Sequence, residues 1–184
     1  LHSLVIAAVF SLIFTVGVVG GGRWLYTRMG GTGGALAAAL VYSNWVFAGA
    51  FLVWLFNTLS AVIRGTGNMA VPAYVTVLGA FVLVPLSPLL IFGWGPVPGL
   101  GIAGGAIALM AYYLIGSVVL AAYLWSPRSL LRPSLAHIRF RWVLFKDILR
   151  VGLVGTVSTV ATNVASGVTT ALVGGFGTAA IAGY

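Results

Sequence analysis

Long stretches without a charged residue alternate along the chain with short clusters of glycine, proline and arginine. Leu1–Gly22 is uncharged apart from His2, and about 20 apolar residues suffice to cross a hydrocarbon core of roughly 30 Å. This segment predicts a first membrane span, followed by a turn holding Arg23, Arg28 and Gly30-Gly31-Thr32-Gly33-Gly34. It lacks the initiator Met, basic start and cleavage site of a signal peptide, so the chain is expected to begin within a longer protein. A second span, Ala35–Ile63, is long enough to tilt and ends at Arg64-Gly65-Thr66-Gly67-Asn68. From Gly65 to Pro127 no residue is charged, and the breakers Gly93-Trp94-Gly95-Pro96-Val97-Pro98-Gly99 divide this length into spans at about Ala70–Phe92 and Leu100–Trp125. Ser126–Lys146 gathers Arg128, Arg132, His137, Arg139, Arg141 and Lys146 with Pro127 and Pro133, and reads as an extramembrane loop leading into an amphipathic approach. A fifth span starts near Asp147 and Arg150 and runs to about Val173. The expected fold is an all-α, polytopic transmembrane helix bundle of five spans.

Composition narrows the chemistry. Of the 184 residues 61% are apolar and 5% charged, against about 25% charged in soluble domains. Asp147 is the single acid and there is no cysteine, which excludes thiolate metal sites, disulfides, a catalytic cysteine and paired-carboxylate chemistry. His2 and His137 are far apart in sequence and are expected to be interfacial rather than metal-binding or catalytic. No nucleophile with a base lies within the spans, so the chain is not expected to be an enzyme or to carry a cofactor or metal. The net charge of +8 reflects missing acids and a basic loop that suits anionic membrane lipids rather than nucleic acid. Basic residues favour the cytoplasmic side. Arg64, Arg128, Arg132, Arg139, Arg141, Lys146 and Arg150 fall on one side and only Arg23 and Arg28 on the other, so the 126–146 loop and the 64–68 turn are expected to be cytoplasmic.

Polar residues inside the spans mark candidate cavities. In the fifth span Gly152, Thr156, Thr159, Asn163, Ser166, Thr170 and Gly174 recur at steps of three and four, widened by Thr162 and Thr169, opposite a stripe of Leu153, Val157, Val160, Val164 and Val168. Two readings stand: close packing with hydroxyls bonded to their own helix, or a water-filled cavity lined by Asn163 and its neighbours. In the second span Tyr42, Gly49, Asn57, Ser60 and Arg64 lie near one face. Asn57 is there either for an interhelical hydrogen bond or beside a cavity. Pro85 and Pro88 in the third span each remove an amide donor, freeing the carbonyls of Phe81 and Val84, and Ser87 between them is placed to offer a replacement. The kink either borders a cavity or merely fits the bundle. The substrate or ion cavity is thus assigned to Asn57, Ser60, Ser87, Thr159, Thr162, Asn163 and Ser166, with the helix kink at Pro85 and Pro88. Gly17/Gly21 and Gly101/Gly105 have GxxxG spacing, a weak signal among 26 glycines.

The run Ile63-Arg64-Gly65-Thr66-Gly67-Asn68-Met69-Ala70-Val71-Pro72, then Leu86-Ser87-Pro88-Leu89-Leu90-Ile91-Phe92-Gly93 and Gly99-Leu100-Gly101-Ile102-Ala103-Gly104-Gly105-Ala106, resembles the multidrug and toxic compound extrusion (MATE) family. A second block, Arg150-Val151-Gly152-Leu153 with Phe176-Gly177-Thr178-Ala179-Ala180-Ile181-Ala182-Gly183-Tyr184, looks like the opening of that family's second lobe. The resemblance implies five spans, about the third to the seventh helices, of a twelve-helix, two-lobed transporter. Residues 1–125 would be four helices of the first lobe, 126–146 the cytoplasmic basic inter-lobe loop and 147–184 the first helix of the second lobe. It implies export of organic, cationic or amphipathic small-molecule substrates by antiport coupled to protons or sodium, in a multi-pass protein of the bacterial inner, or plasma, membrane. The missing helices of the parent chain and membrane lipids would be the other partners. The alternative is a lipid-linked oligosaccharide flippase of the same superfamily, whose cavity would carry basic residues. Three positions depart from the family: an Asn and an Asp common on the fifth helix correspond to Leu83 and Ser87, and a carboxylate found in one branch on the seventh corresponds to Thr162. The resemblance therefore places any coupling acid outside these 184 residues.

Overall fold

A computed structural model describes residues 2–28, 33–94, 98–130 and 141–174. Gly30–Thr32, Gly95–Val97, Arg132, Pro133, His137, Arg139 and the second family block at Phe176–Tyr184 lie outside the described residues. The chain divides into two compact units, Leu1–Ile138 and Arg139–Tyr184. The first holds five α-helices: α1 (His2–Arg28), α2 (Gly33–Ala48), α3 (Ala50–Gly65), α4 (Ala70–Phe92) and α5 (Ile102–Trp125). The second holds α6 (Trp142–Gly174). Among the described residues four helices are long and apolar enough to cross a membrane, and α2 with α3 counts as a fifth, broken span.

Two expectations about the spans change. The segment from Arg23 to Arg28 is the last turns of α1 rather than a turn. Its charges do not stop the helix because long basic side chains reach from a helix end toward the interface. Arg28 lies over the Trp24 ring at 5.7 Å, and Thr27 Oγ1 donates to the Arg23 carbonyl at 2.7 Å. The second span is not one tilted helix: α2 and α3 meet at an angle of 50° around Gly49.

Packing in the first unit centres on α3 and α5. Phe56, Leu59 and Ile63, at helical steps of three and four, meet Leu120 and Leu124, and Ile63 and Leu120 are fully buried. Lipid tails are as apolar as these side chains, so the contact gains van der Waals fit rather than release from water. Gly116 matters for that reason. A Cβ there would sit 2.6 Å from Cε2 of Phe56, whose ring stands edge-on to Tyr113 at 5.5 Å. Large apolar side chains such as Leu12 and Val16 of α1 and Leu78, Phe81 and Val84 of α4 stay exposed, a surface that suits hydrocarbon.

Turn chemistry fixes both ends of α4. At its start Asn68 Oδ1 accepts from the Val71 amide at 3.1 Å, and Pro72 falls in the first turn, where a missing N–H costs nothing. At its end Gly93, at a φ of 78° that only glycine adopts readily, donates to the Leu89 carbonyl at 2.9 Å. The amides of Leu100 and Gly101 then bond the Leu90 and Ile91 carbonyls at 2.9 and 3.0 Å, tying the start of α5 to the end of α4. Gly104 permits this approach, since a Cβ there would collide with the Leu90 carbonyl.

Candidate functional site: a cavity at the elbow of α2 and α3

The break at Gly49 is built by its neighbours. A Cβ on Gly49 would collide with Met110 Sδ and stand 3.0 Å from Met110 Cγ, so the glycine admits the α5 side chain to the bend. The Gly49 amide still bonds the Trp45 carbonyl at 3.1 Å, while the Leu52 amide bonds Gly49 itself, three residues back, at 2.9 Å. Bending tilts carbonyls near the break away from their helical donors, and in a membrane they need another. Thr15 of α1 supplies one: its Oγ1 donates to the Phe47 carbonyl at 2.6 Å.

Beside this elbow lies a cavity of about 450 Å³ lined by Phe14, Val46, Phe47, Ala50, Val53, Trp54 and Asn57. Its aromatic wall is held in place, with Trp54 stacked on Phe10 at 5.7 Å and tilted against Phe14 at 6.0 Å. Asn57 is its polar feature. The Asn57 Nδ2 group donates to the Val53 carbonyl at 2.8 Å, which leaves Oδ1 and a second N–H for a guest. Such a space offers ring faces and one amide, with no charged side chain among its lining residues.

Only Asn57 of the sequence-predicted residues lines this cavity. Ser60, one turn further, is 2% exposed and its hydroxyl has no hydrogen-bond partner among the described residues; the same holds for Ser117 on α5. Residues three apart on a helix differ by about 60° in direction, enough to turn Ser60 away from the elbow cavity. Ser87 lies on α4 against Gly105, where an added Cβ would be 3.9 Å from its hydroxyl. Thr159, Thr162, Asn163 and Ser166 belong to α6 in the second unit. Thr159 and Thr162 bond the carbonyls of Gly155 and Ser158 at 3.0 and 3.1 Å, and Asn163 Nδ2 bonds Thr159 at 2.8 Å. Thr156 and Thr169 follow the same pattern four residues back, so the stripe carries the self-bonding that its packing reading calls for.

Pro85 and Pro88 sit within α4, which continues through them to Phe92. A second cavity, about 230 Å³, lies between α4 and α5 and is lined by Leu83, Leu86, Val82, Tyr112, Ile115 and Val119 among others. Gly79 and Gly116 open it. Leu83 stands where the family resemblance called for an Asn, and the surrounding wall is aliphatic apart from Tyr112.

A polar knot joins the α3–α4 turn to the end of α5. Asn68 Nδ2 donates to the Tyr123 hydroxyl at 2.8 Å, and that hydroxyl reaches the Arg128 carbonyl at 3.5 Å. Thr66 Oγ1 bonds the Ile63 carbonyl at 2.7 Å. The Arg64–Asn68 motif is therefore a structural joint. Sequence reasoning did not single out Phe14, Thr15, Trp54 or Met110. The i, i+4 aromatic pair Phe10/Phe14 was the available signal for the cavity wall; nothing local announced Thr15 or Met110.

These helices, with exposed apolar flanks, have the architecture of a polytopic membrane protein. Residues 1–89 match the MatE family model. The chain is 35% identical over 100 residues to a FAD transporter of Shewanella oneidensis, covering 54% of this chain and 22% of that protein. It is 36% identical over 108 residues to a probable multidrug resistance protein NorM of Xylella fastidiosa, covering 58% and 23%. A solved outward-facing multidrug resistance MATE family transporter of the MOP superfamily superposes with a TM-score of 0.85 at 26% identity, over 98% of this chain and 40% of that one. The chain thus matches the MATE transporters in sequence and in fold. It spans under a quarter of the length of those two relatives and 40% of the solved transporter.

Proposed function

We propose that this chain is part of a secondary active transporter that exports organic, cationic or amphipathic compounds across the bacterial inner membrane. The observation that carries the proposal is the elbow cavity. Its volume of about 450 Å³ falls in the range of drug-sized sites, its wall is aromatic, and Asn57 supplies one directional contact. Ring faces attract organic cations without a countercharge. The multidrug name of the Xylella fastidiosa relative agrees with this use. A lipid-linked diphosphate, as a flippase would carry, calls for Arg or Lys in the cavity, and neither described cavity is lined by one.

On this reading α1 to α5 form four spans of the first lobe, residues 126–146 the cytoplasmic inter-lobe loop, and α6 the first helix of the second lobe. Transport runs by antiport against protons or sodium. The coupling acid lies in the rest of the parent, because the one acid here, Asp147, is at the start of α6. The second lobe contributes Thr159, Thr162, Asn163 and Ser166 toward the pathway, Ser60 and Ser87 support the first lobe's side, and membrane lipid surrounds both. No step of this cycle needs an enzyme's nucleophile or a cofactor.

The test uses the full-length parent in proteoliposomes with an imposed proton or sodium gradient. Gradient-dependent movement of tetraphenylphosphonium, with no translocation of a lipid-linked oligosaccharide, is expected. The reverse pattern would establish the flippase.

A further inference from the structure

The elbow at Gly49 combines three features that a static bend does not require together. A glycine stands where any side chain would collide with Met110 of α5. A hydroxyl from another helix, Thr15, holds the Phe47 carbonyl at 2.6 Å. A cavity of about 450 Å³ opens at the same point, lined from both sides of the break by Val46 and Phe47 of α2 and by Ala50, Val53, Trp54 and Asn57 of α3. Neither holding contact is covalent or part of the helix ladder. Met110 is an unbranched side chain that repacks readily, and the Phe47 carbonyl has an alternative donor in the amide four residues on if the helix becomes continuous.

We propose that Gly49 is a hinge: the second span exchanges between the bent form, latched by Thr15 and Met110, and a continuous helix in which both contacts are released and the elbow cavity changes shape. Each form satisfies the Phe47 carbonyl, by Thr15 when bent and by the helix ladder when straight. Phe47 and Trp54 lie on opposite sides of the break. A change of angle therefore moves one wall of the cavity relative to the other. The hinge itself does not depend on what is transported; only its link to substrate passage rests on the transport reading above.

Distance measurement tests the hinge without any transport assay. Spin labels are placed in the full-length parent, cleared of other cysteines, through Ala37→Cys on α2 and Gly65→Cys on α3. Ala37 is exposed and an added Cβ at Gly65 meets nothing within 4 Å. At 1.5 Å per residue, closing the bend lengthens their separation by about 4 Å. The parent is expected to give mainly the shorter separation. Thr15→Val, which keeps the shape and removes the donor, should shift the population toward the longer one, while Thr15→Ser should not. Gly49→Val should give the longer separation, and Met110→Ala added to it should return the shorter. The longer separation as the main one in the parent would overturn the proposal. So would unchanged distances in both Thr15→Val and Gly49→Val, or failure of Met110→Ala to restore the bend. The parent measurement stands even if a variant does not fold.

Discussion

The span without a proline is broken, and the span with two prolines in its interior is not. α4 carries Pro85 and Pro88 yet runs as one helix from Ala70 to Phe92, whereas α2 and α3, with no proline between Gly33 and Gly65, meet at 50°. Proline removes a donor and crowds the preceding turn, but a helix survives this when its neighbours hold it in place. α4 is held by α5: Gly104 lets the two backbones touch, and the Leu100 and Gly101 amides take its last carbonyls. α2 and α3 bend because α5 sends Met110 into the space above Gly49 while α1 offers Thr15 to the loosened backbone. Helix shape in this unit follows from what a neighbour inserts or supplies more than from breakers in the segment itself.

The comparison can be broken most forcefully at Gly104. A Cβ there meets backbone, the Leu90 carbonyl, which has nowhere to move. Gly104→Val in the full-length parent should cost about 3 kcal/mol, the upper range of overpacking, read as a large drop in thermal unfolding temperature in detergent. An unchanged temperature would show that α4 and α5 are not held by this contact.

Asn68→Ala comes next, since it removes the bond to Tyr123 and the acceptor for Val71 together. A loss of about 2 kcal/mol is expected from one interhelical bond and one helix start, measured the same way; Tyr123→Phe should recover only part of that loss.

Gly49→Ala should cost less, about 1 kcal/mol, because the group it strikes is the far end of a flexible methionine rather than backbone. A loss as large as that of Gly104→Val would mean that the elbow is as rigid as the α4–α5 hairpin.

Pro85→Ala is the smallest change. It gives the Phe81 carbonyl a donor again, and stability should stay within about 1 kcal/mol of the parent. Loss of several kcal/mol would show that the prolines, not α5, set the course of α4.

Much of this was legible from charge and breakers alone. α4 falls on the expected Ala70–Phe92, and α5 begins two residues after the expected Leu100, because charge-free runs and the 93–99 cluster are local signals. The reach of α1 to Arg28 was hidden because a charge marks where hydrocarbon ends, not where a helix ends. The break at Gly49 was hidden more deeply. One glycine among 26 carries no mark, and its cause, Met110, lies on another helix. The elbow cavity was half legible: periodicity put Asn57 and Ser60 near one face, yet Asn57 lines the cavity while Ser60 is buried. Its aromatic wall comes from α1 as well as α3, and no pattern within one segment joins Phe14 to Trp54.

On the proposed function, transported compounds use the elbow cavity through Asn57 rather than the cavity between α4 and α5. Accumulation of tetraphenylphosphonium, measured over a range of concentrations in cells expressing the full-length parent at equal levels, tests it directly. Asn57→Ala is expected to weaken export by roughly fivefold in effective affinity, the equivalent of about 1 kcal/mol for one amide contact, while Leu83→Ala in the other cavity exports nearly as the parent does. Normal export by Asn57→Ala together with failure of Leu83→Ala would contradict it.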